Sequence, residues 1–190
     1  MNVHRAKGLL CLFVLASLVG ITPACEGAGF TINNVATKTD DRTLHVYPDF
    51  DLMLSQEVKK AIGHGIPIHI VIEMVLTQRR PLLWDSDISH WHFPMTIRYH
   101  SLTRQFIVVN GITNIITSYP TATEAITAIG SRELFSLQLD RPLSIADVQY
   151  SLKMRVRVDD RLLPIPLRLH TFTDQDWQLN STWTQWPIIN

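Results

Sequence analysis

Apolar and polar residues alternate with a period of two over long stretches of this 190-residue chain. In residues 66–76 each even position is apolar (Ile66, Ile68, Ile70, Ile72, Met74, Leu76), whereas the odd positions include Pro67, His69 and Glu73. Successive side chains of a strand point to opposite faces, so this stretch predicts a strand with one face in a core. Phe93, Met95, Ile97 and Tyr99 alternate with polar or proline positions in the same way. Leu152, Met154, Val156 and Val158 alternate with Lys153, Arg155, Arg157 and Asp159. Shorter runs at 43–47, 104–109, 112–119, 134–139 and 167–172 read as further strands. One-sided strands with short links favour antiparallel pairing.

Two segments switch to helical spacing. Ser55 can cap a helix that puts Val58, Ala61 and Ile62 on one face and stops at Gly63-His64-Gly65. Thr121 with Glu124 three residues later forms a capping box, ahead of Ala125, Ile126 and Ile129 and a stop at Gly130. Helices this short need a sheet to pack on. With no internal repeat, low-complexity tract or linker, residues 30–190 are expected to form a single mainly β domain, bordering on α+β. The expected architecture is an antiparallel, sandwich-like sheet with two short packed helices.

The first residues follow a different pattern. Arg5 and Lys7 carry positive charge with no acid, residues 8–21 are apolar apart from Ser17, and Thr22-Pro23-Ala24-Cys25 follows. A basic start, a short apolar run and small residues describe a secretory signal peptide, expected over residues 1–24. The run is shorter than the roughly 20 apolar residues a membrane span needs. The sequence therefore predicts export, to the periplasm or the periplasmic face of a membrane. Membrane association would come only through an uncleaved signal or a lipidated Cys25. Ala24 before Cys25 fits a lipoprotein site, and Thr22 and Pro23 depart from one. Cys11 would leave with the signal, so no internal disulfide can form.

Composition narrows the function classes. The 17 basic and 17 acidic residues balance, which gives no electrostatic case for nucleic acid. Loss of residues 1–24 removes Arg5 and Lys7 and no acid, so the mature chain is mildly acidic. No phosphate loop, dinucleotide fingerprint, Gly-x-Ser-x-Gly elbow or His-Glu-x-x-His helix is present, and no cofactor is implied.

Several ordered features together carry a family resemblance: the exit Ala61-Ile62-Gly63-His64-Gly65-Ile66-Pro67-Ile68, Glu73, Thr77-Gln78-Arg79-Arg80, Trp84-Asp85, and Leu102-Thr103-Arg104-Gln105-Phe106. The Thr-x-x-Glu-Ala-Ile helix and a close on Thr173-Asp174-Gln175-Asp176-Trp177, Trp183 and Trp186 complete the set. The chain resembles the exported bacterial family of domain of unknown function 4390, over roughly residues 31–186. The resemblance implies Gram-negative origin and envelope residence. It also implies a gene neighbourhood shared with a membrane sensor kinase, which makes an envelope or inner-membrane protein a candidate partner. It supplies no activity, cofactor or catalytic residue.

Three groups of residues are candidates for chemistry. On an extended backbone His90 and His92 would project to one side, and with Asp85 or Asp87 they could supply imidazole and carboxylate ligands to zinc or copper. The same letters, flanked by Trp84 and Trp91, read as a polar turn, and the turn is the expectation. Lys153, Arg155 and Arg157 make a basic stripe along one strand, expected as a solvated face or a contact for an acidic partner. Trp177, Trp183 and Trp186 are expected as a lid on the core, or else as a partner-binding surface. His69 and Glu73 share a strand face but sit roughly 13 Å apart, too far for a direct acid–base pair. The expected function is that of a non-enzymatic binding domain acting with another envelope component. The alternatives are a metal-dependent periplasmic enzyme centred on Asp85–His92 and a lipid carrier.

Overall fold

We describe residues 28–81, 83–131, 134–144 and 148–188 of a computed structural model. The expected signal peptide and Cys25 lie outside the described residues. Strand β3 (Ile68–Gln78) is the axis of the larger sheet. It pairs antiparallel with β4 (Ser86–His100) on one side and β8 (Tyr150–Val158) on the other. β5 (Gln105–Asn110) and β6 (Ile116–Tyr119) extend the sheet beyond β4, and β9 (Thr184–Pro187) extends it beyond β8. A second sheet holds β1 (Gly29–Asp40), β2 (Thr43–Met53) and β7 (Phe135–Gln138), in the order β1-β2-β7. Every pairing in both sheets is antiparallel, so the mainly β architecture is as expected.

The core lies between the sheets. The even-numbered side chains of β3, from Ile68 to Leu76, are fully buried, and Leu44, Val46 and Leu52 from β2 and Leu137 from β7 join the same cluster. Phe93 of β4 meets Phe135 of β7 edge to face, with centroids 4.7 Å apart, and so ties one sheet to the other. The helices close the core's open sides. Helix α1 (Gln56–Gly63) buries Val58, Ala61 and Ile62, and helix α2 (Ala122–Gly130) buries Ala125, Ile126 and Ile129.

Local rules account for the helix ends. The buried Ser55 hydroxyl accepts from the Val58 N–H at 3.1 Å. Beyond α1, Gly65 has φ +88°, the left-handed region that glycine enters without a Cβ penalty. There the Gly65 and Ile66 N–H groups return to the carbonyls of Ile62 and Ala61, at 2.8 and 3.1 Å. Pro67 follows without an N–H to give, and β3 begins at Ile68 instead of Ile66. At α2 the Thr121 hydroxyl accepts from the Glu124 N–H at 3.1 Å and donates to its carboxylate at 2.9 Å.

Four local expectations are corrected. Residues 167–172 are helical, within α3 (Ile165–Thr173). Pro164 and Pro166 stand at its start, where missing N–H groups cost nothing, and the Pro164 carbonyl accepts from Leu167 and Arg168. The polar turn expected around Asp85–His92 is mostly strand, because β4 begins at Ser86. β1 was not foreseen, and β2 runs six residues beyond Tyr47 to Met53. β7 begins opposite Val46, so beyond Val46 β2 pairs with β1 alone, where Pro48 is tolerated.

After β8 the chain makes two single 3-10 turns, η1 (Asp160–Leu162) and η2 (Gln175–Trp177), with α3 between them. It then returns along β8. The Val158 N–H donates to Leu179 at 3.0 Å, the Ser181 N–H to Val156 at 2.7 Å, and the Ile188 N–H to Tyr150 at 2.9 Å. Among the described residues no helix is long and apolar enough to cross a membrane.

Candidate binding groove

Two groups that stand sixty residues apart in sequence meet on the outer face of the larger sheet. β3 lies between β4 and β8, and its odd-numbered residues face away from the core. Glu73 is opposite His92 on one side and Arg155 on the other, and Val75 is likewise flanked by His90 and Lys153. The histidine pair of the candidate metal segment and the basic stripe therefore form adjoining rows of one surface.

Asp87 reaches the same surface through a bulge. The β3–β4 register shifts between Leu76 and Thr77, so that Leu76 faces Ser89 while Thr77 faces Asp87 and Ile88 is the extra residue. In an unbroken strand Asp87 would point to the opposite face from His90, and the inserted residue re-aims it. Its carboxylate oxygens then lie 4.0 Å from Lys153 Nζ and 4.0 Å from His90 Nε2.

Glu73 is the electrostatic centre. It is only 7% exposed, and both its oxygens are engaged. Arg155 donates from Nε to Oε2 at 2.7 Å and from Nη2 to the same oxygen, and Arg157 Nη2 donates to Oε1 at 3.3 Å. Burial by itself would push this carboxyl up. The hydrogen bonds and charges of the two arginines together outweigh it and hold the group below its ordinary value. Arg157 continues the chain to Asp159 at 3.3 Å, and Arg161 reaches the same Asp159 oxygen at 3.1 Å. Asp159 is likewise lowered, its burial outweighed by Arg161 and Arg157. His69, which bonds Thr96 Oγ1 at 3.0 Å, is shifted down by burial, with partial compensation from the Asp159 charge.

The tryptophans part company. Trp177 is buried in the core, and Trp186, opposite Leu152, packs against it. Those two places match a lid. Trp183 lies on the outer face, 44% exposed, with the Arg155 guanidinium 4.7 Å from its ring centre. Arg155 is thus held between a buried carboxylate and an aromatic face.

Together these residues bound an open groove of about 490 Å³. Glu73, Val75 and Lys153 line its middle, Asp87, His90 and His92 stand on the β4 side, and Trp183 and Gln185 on the β9 side. Lys153 Nζ, His90 Nε2 and His92 Nε2 have carboxylates only at 3.9–4.0 Å and make no hydrogen bond among the described residues. Asp85 is separate. It lines a second open groove, of about 750 Å³, with Arg79, Gln149 and Tyr150.

For metal chemistry the arrangement is two His–carboxylate pairs: His92 with Glu73 at 3.9 Å and His90 with Asp87 at 4.0 Å. Among the described residues no group of three or more His, Cys, Asp or Glu is placed to hold an ion. Glu73's oxygens are already taken by guanidinium nitrogens.

Residues 27–187 match the family described as Domain of unknown function (DUF4390). The chain belongs to that family. No curated protein and no solved structure matches the chain. Membership of DUF4390 therefore fixes kinship across nearly the whole domain, and any functional reading rests on the groove. Sequence reasoning found most of its residues but missed Gln185 and the position of Glu73 between the two groups. The outward position of Glu73 in an alternating strand was the signal available.

Proposed function

We propose that this protein is a non-enzymatic binding domain of the bacterial cell envelope, exported by the signal peptide of residues 1–24, which engages another envelope or inner-membrane component through the outer face of its larger sheet. A Gram-negative periplasm, or the periplasmic face of a membrane, is the compartment that the N-terminal pattern and the family resemblance favour. Acylation of Cys25 is the route by which the domain would be tethered. A sensor kinase is the partner suggested by gene neighbourhood.

One observation carries the binding reading. Three nitrogen donors and a half-exposed tryptophan converge on a groove whose central carboxylate is already neutralised by Arg155 and Arg157. A surface that existed only to solvate the sheet would spend its charges on one another. Here donors are left over beside Trp183, the residue type most enriched at the centre of binding surfaces.

Site-specific photo-crosslinking in intact cells tests this. A photoreactive residue at Gln185 is expected to give a discrete adduct. One at Tyr47, on the smaller sheet, is expected to give none, and Trp183→Ala is expected to remove the Gln185 adduct. Equal adducts from both positions, or none from Gln185 in the correctly exported protein, would discard the reading.

A further inference from the structure

We infer that the groove on the outer face of the larger sheet recognises a carboxylate side chain of an acidic peptide segment. The inference rests on the binding reading above and names the chemistry of the ligand.

Charge comes first. The connected charges of this face are Lys153, Arg155, Arg157 and Arg161 against Glu73, Asp87 and Asp159, four fixed positive charges to three negative. Arg155 and Arg157 are committed to Glu73, so the spare cation is Lys153. Its only ionic neighbour among the described residues is Asp87, at 4.0 Å, a distance too long for a hydrogen bond. His90 and His92 stand on the same wall with unspent ring nitrogens.

Asp87 shows what the groove accepts. One of its oxygens faces Lys153 and the other faces His90, both at 4.0 Å, so a carboxylate can address the two together. In this arrangement Asp87 stays outside hydrogen-bond distance of both. A carboxylate on a separate chain, entering from solvent, can approach to about 2.8 Å and form charge-assisted bonds to both. Asp87 is then a built-in competitor for the ligand.

The neighbouring strand favours a peptide over a small anion. β9 is the last strand of the sheet, and its outer edge is unpaired among the described residues. An extended segment can pair with such an edge through its main chain while alternate side chains lie across the sheet face. Trp183 and Gln185 stand between that edge and Lys153, where they would contact the ligand's backbone and side-chain stem. The groove's volume of about 490 Å³ leaves room for the side chains of such a segment.

The purified full-length protein is titrated with a fluorescein-labelled peptide of ten glutamates, followed by anisotropy. A ten-glutamine peptide, inorganic phosphate and phosphatidylglycerol vesicles serve as competitors. The glutamate peptide is expected to bind and the glutamine peptide not to compete. Lys153→Gln is expected to weaken binding about tenfold or more, the value of one charge-assisted hydrogen bond. Asp87→Asn is expected to tighten it, by removing the internal competitor. A misfolded protein would weaken in both variants, so opposite signs guard against that outcome. Equal competition by glutamine, phosphate or vesicles, or weaker binding in Asp87→Asn with the fold intact, would overturn the inference. If the Gln185 crosslink then still forms in cells, the binding face stands and only its acidic ligand is wrong. If that crosslink is also absent, both readings fall.

Discussion

On the inner face of β3, Ile68, Ile70, Ile72, Met74 and Leu76 are buried by other apolar side chains, whereas on the outer face the buried Val71, Glu73 and Val75 are flanked by the long polar Arg157, Arg155 and Lys153. The inner face is covered by a second sheet and two helices. Among the described residues the outer face has no second layer, and its shelter is built from Arg155, Arg157, Lys153 and the Trp183 ring leaning over the strand. Such side chains cover apolar surface with their stems and keep charged ends near water. Burial on the inner face is therefore fixed by shape. On the outer face it depends on charge.

The largest effect should come from the inner face. Ile72→Ala, which removes a fully buried side chain from the middle of the core, is expected to cost about 3–4 kcal/mol in chemical denaturation. A loss under about 1 kcal/mol would mean that the two sheets are not packed on each other there.

Next in size is Glu73→Ala. It leaves Arg155 without a carboxylate and Arg157 with Asp159 alone, and a loss of about 2–3 kcal/mol is expected, below the upper range for a buried pair because Arg155 can turn toward water and Arg157 keeps a partner. Glu73→Gln should cost less and should not alter far-UV circular dichroism. If Glu73→Ala is neutral, the charge network is not what shelters Val71 and Val75.

Acid should discriminate the two faces without mutation. Glu73 and Asp159 have folded values below their ordinary 4.5 and 3.8, so each binds fewer protons when folded than when unfolded. Their contribution is present above those ordinary values and is lost as pH falls through them to the folded ones. His69 is also lowered from its ordinary 6.5, so it too binds fewer protons when folded and begins to favour unfolding as pH falls below about that value. Denaturation midpoints measured against pH should therefore decline gently at first and more steeply below about 4.5, and Glu73→Gln should flatten the second stage. A midpoint that rises on acidification would contradict the signs argued here.

The smallest stability effects belong to the groove's rim. Trp183→Ala is expected to cost within about 1 kcal/mol, for the loss of its contact with Arg155. His90→Ala and His92→Ala should each fall within about 0.5 kcal/mol, as exposed side chains without hydrogen bonds. Thermal melts of the three variants check this, and any of them unfolding the protein would make the groove a structural element.

The same contrast explains how legible the sequence was. β3 and β8 alternate without interruption and could be read directly, as could both capped helices. β1 and the first part of β4 could not, and each carries a bulge. In β1 the register shifts between Ile32 and Asn34, so Phe30 and Ile32 share a face with Val35 and the period of two is broken in the letters while kept in space. In β4 the extra residue is Ile88, which hid the strand as a turn and put Asp87 on the wrong face by simple parity. Residues 167–172 were misread for the opposite reason. A short apolar alternation occurs there beside Pro164 and Pro166, and the prolines, with Arg168 donating to the carbonyls of Arg161 and Leu163, set a helix.

By itself the sequence determined the fold class, the antiparallel sheets, the two capped helices and the list of unusual residues, because periodicity and capping act between neighbours. The meeting of those residues was decided only by tertiary structure. Strand order put Glu73 between His92 and Arg155, a bulge turned Asp87 onto the same face, and pairing of the C-terminal segment with β8 set Trp183 over Arg155. Strand order and register depend on contacts across the whole chain, and no local pattern of letters encodes them.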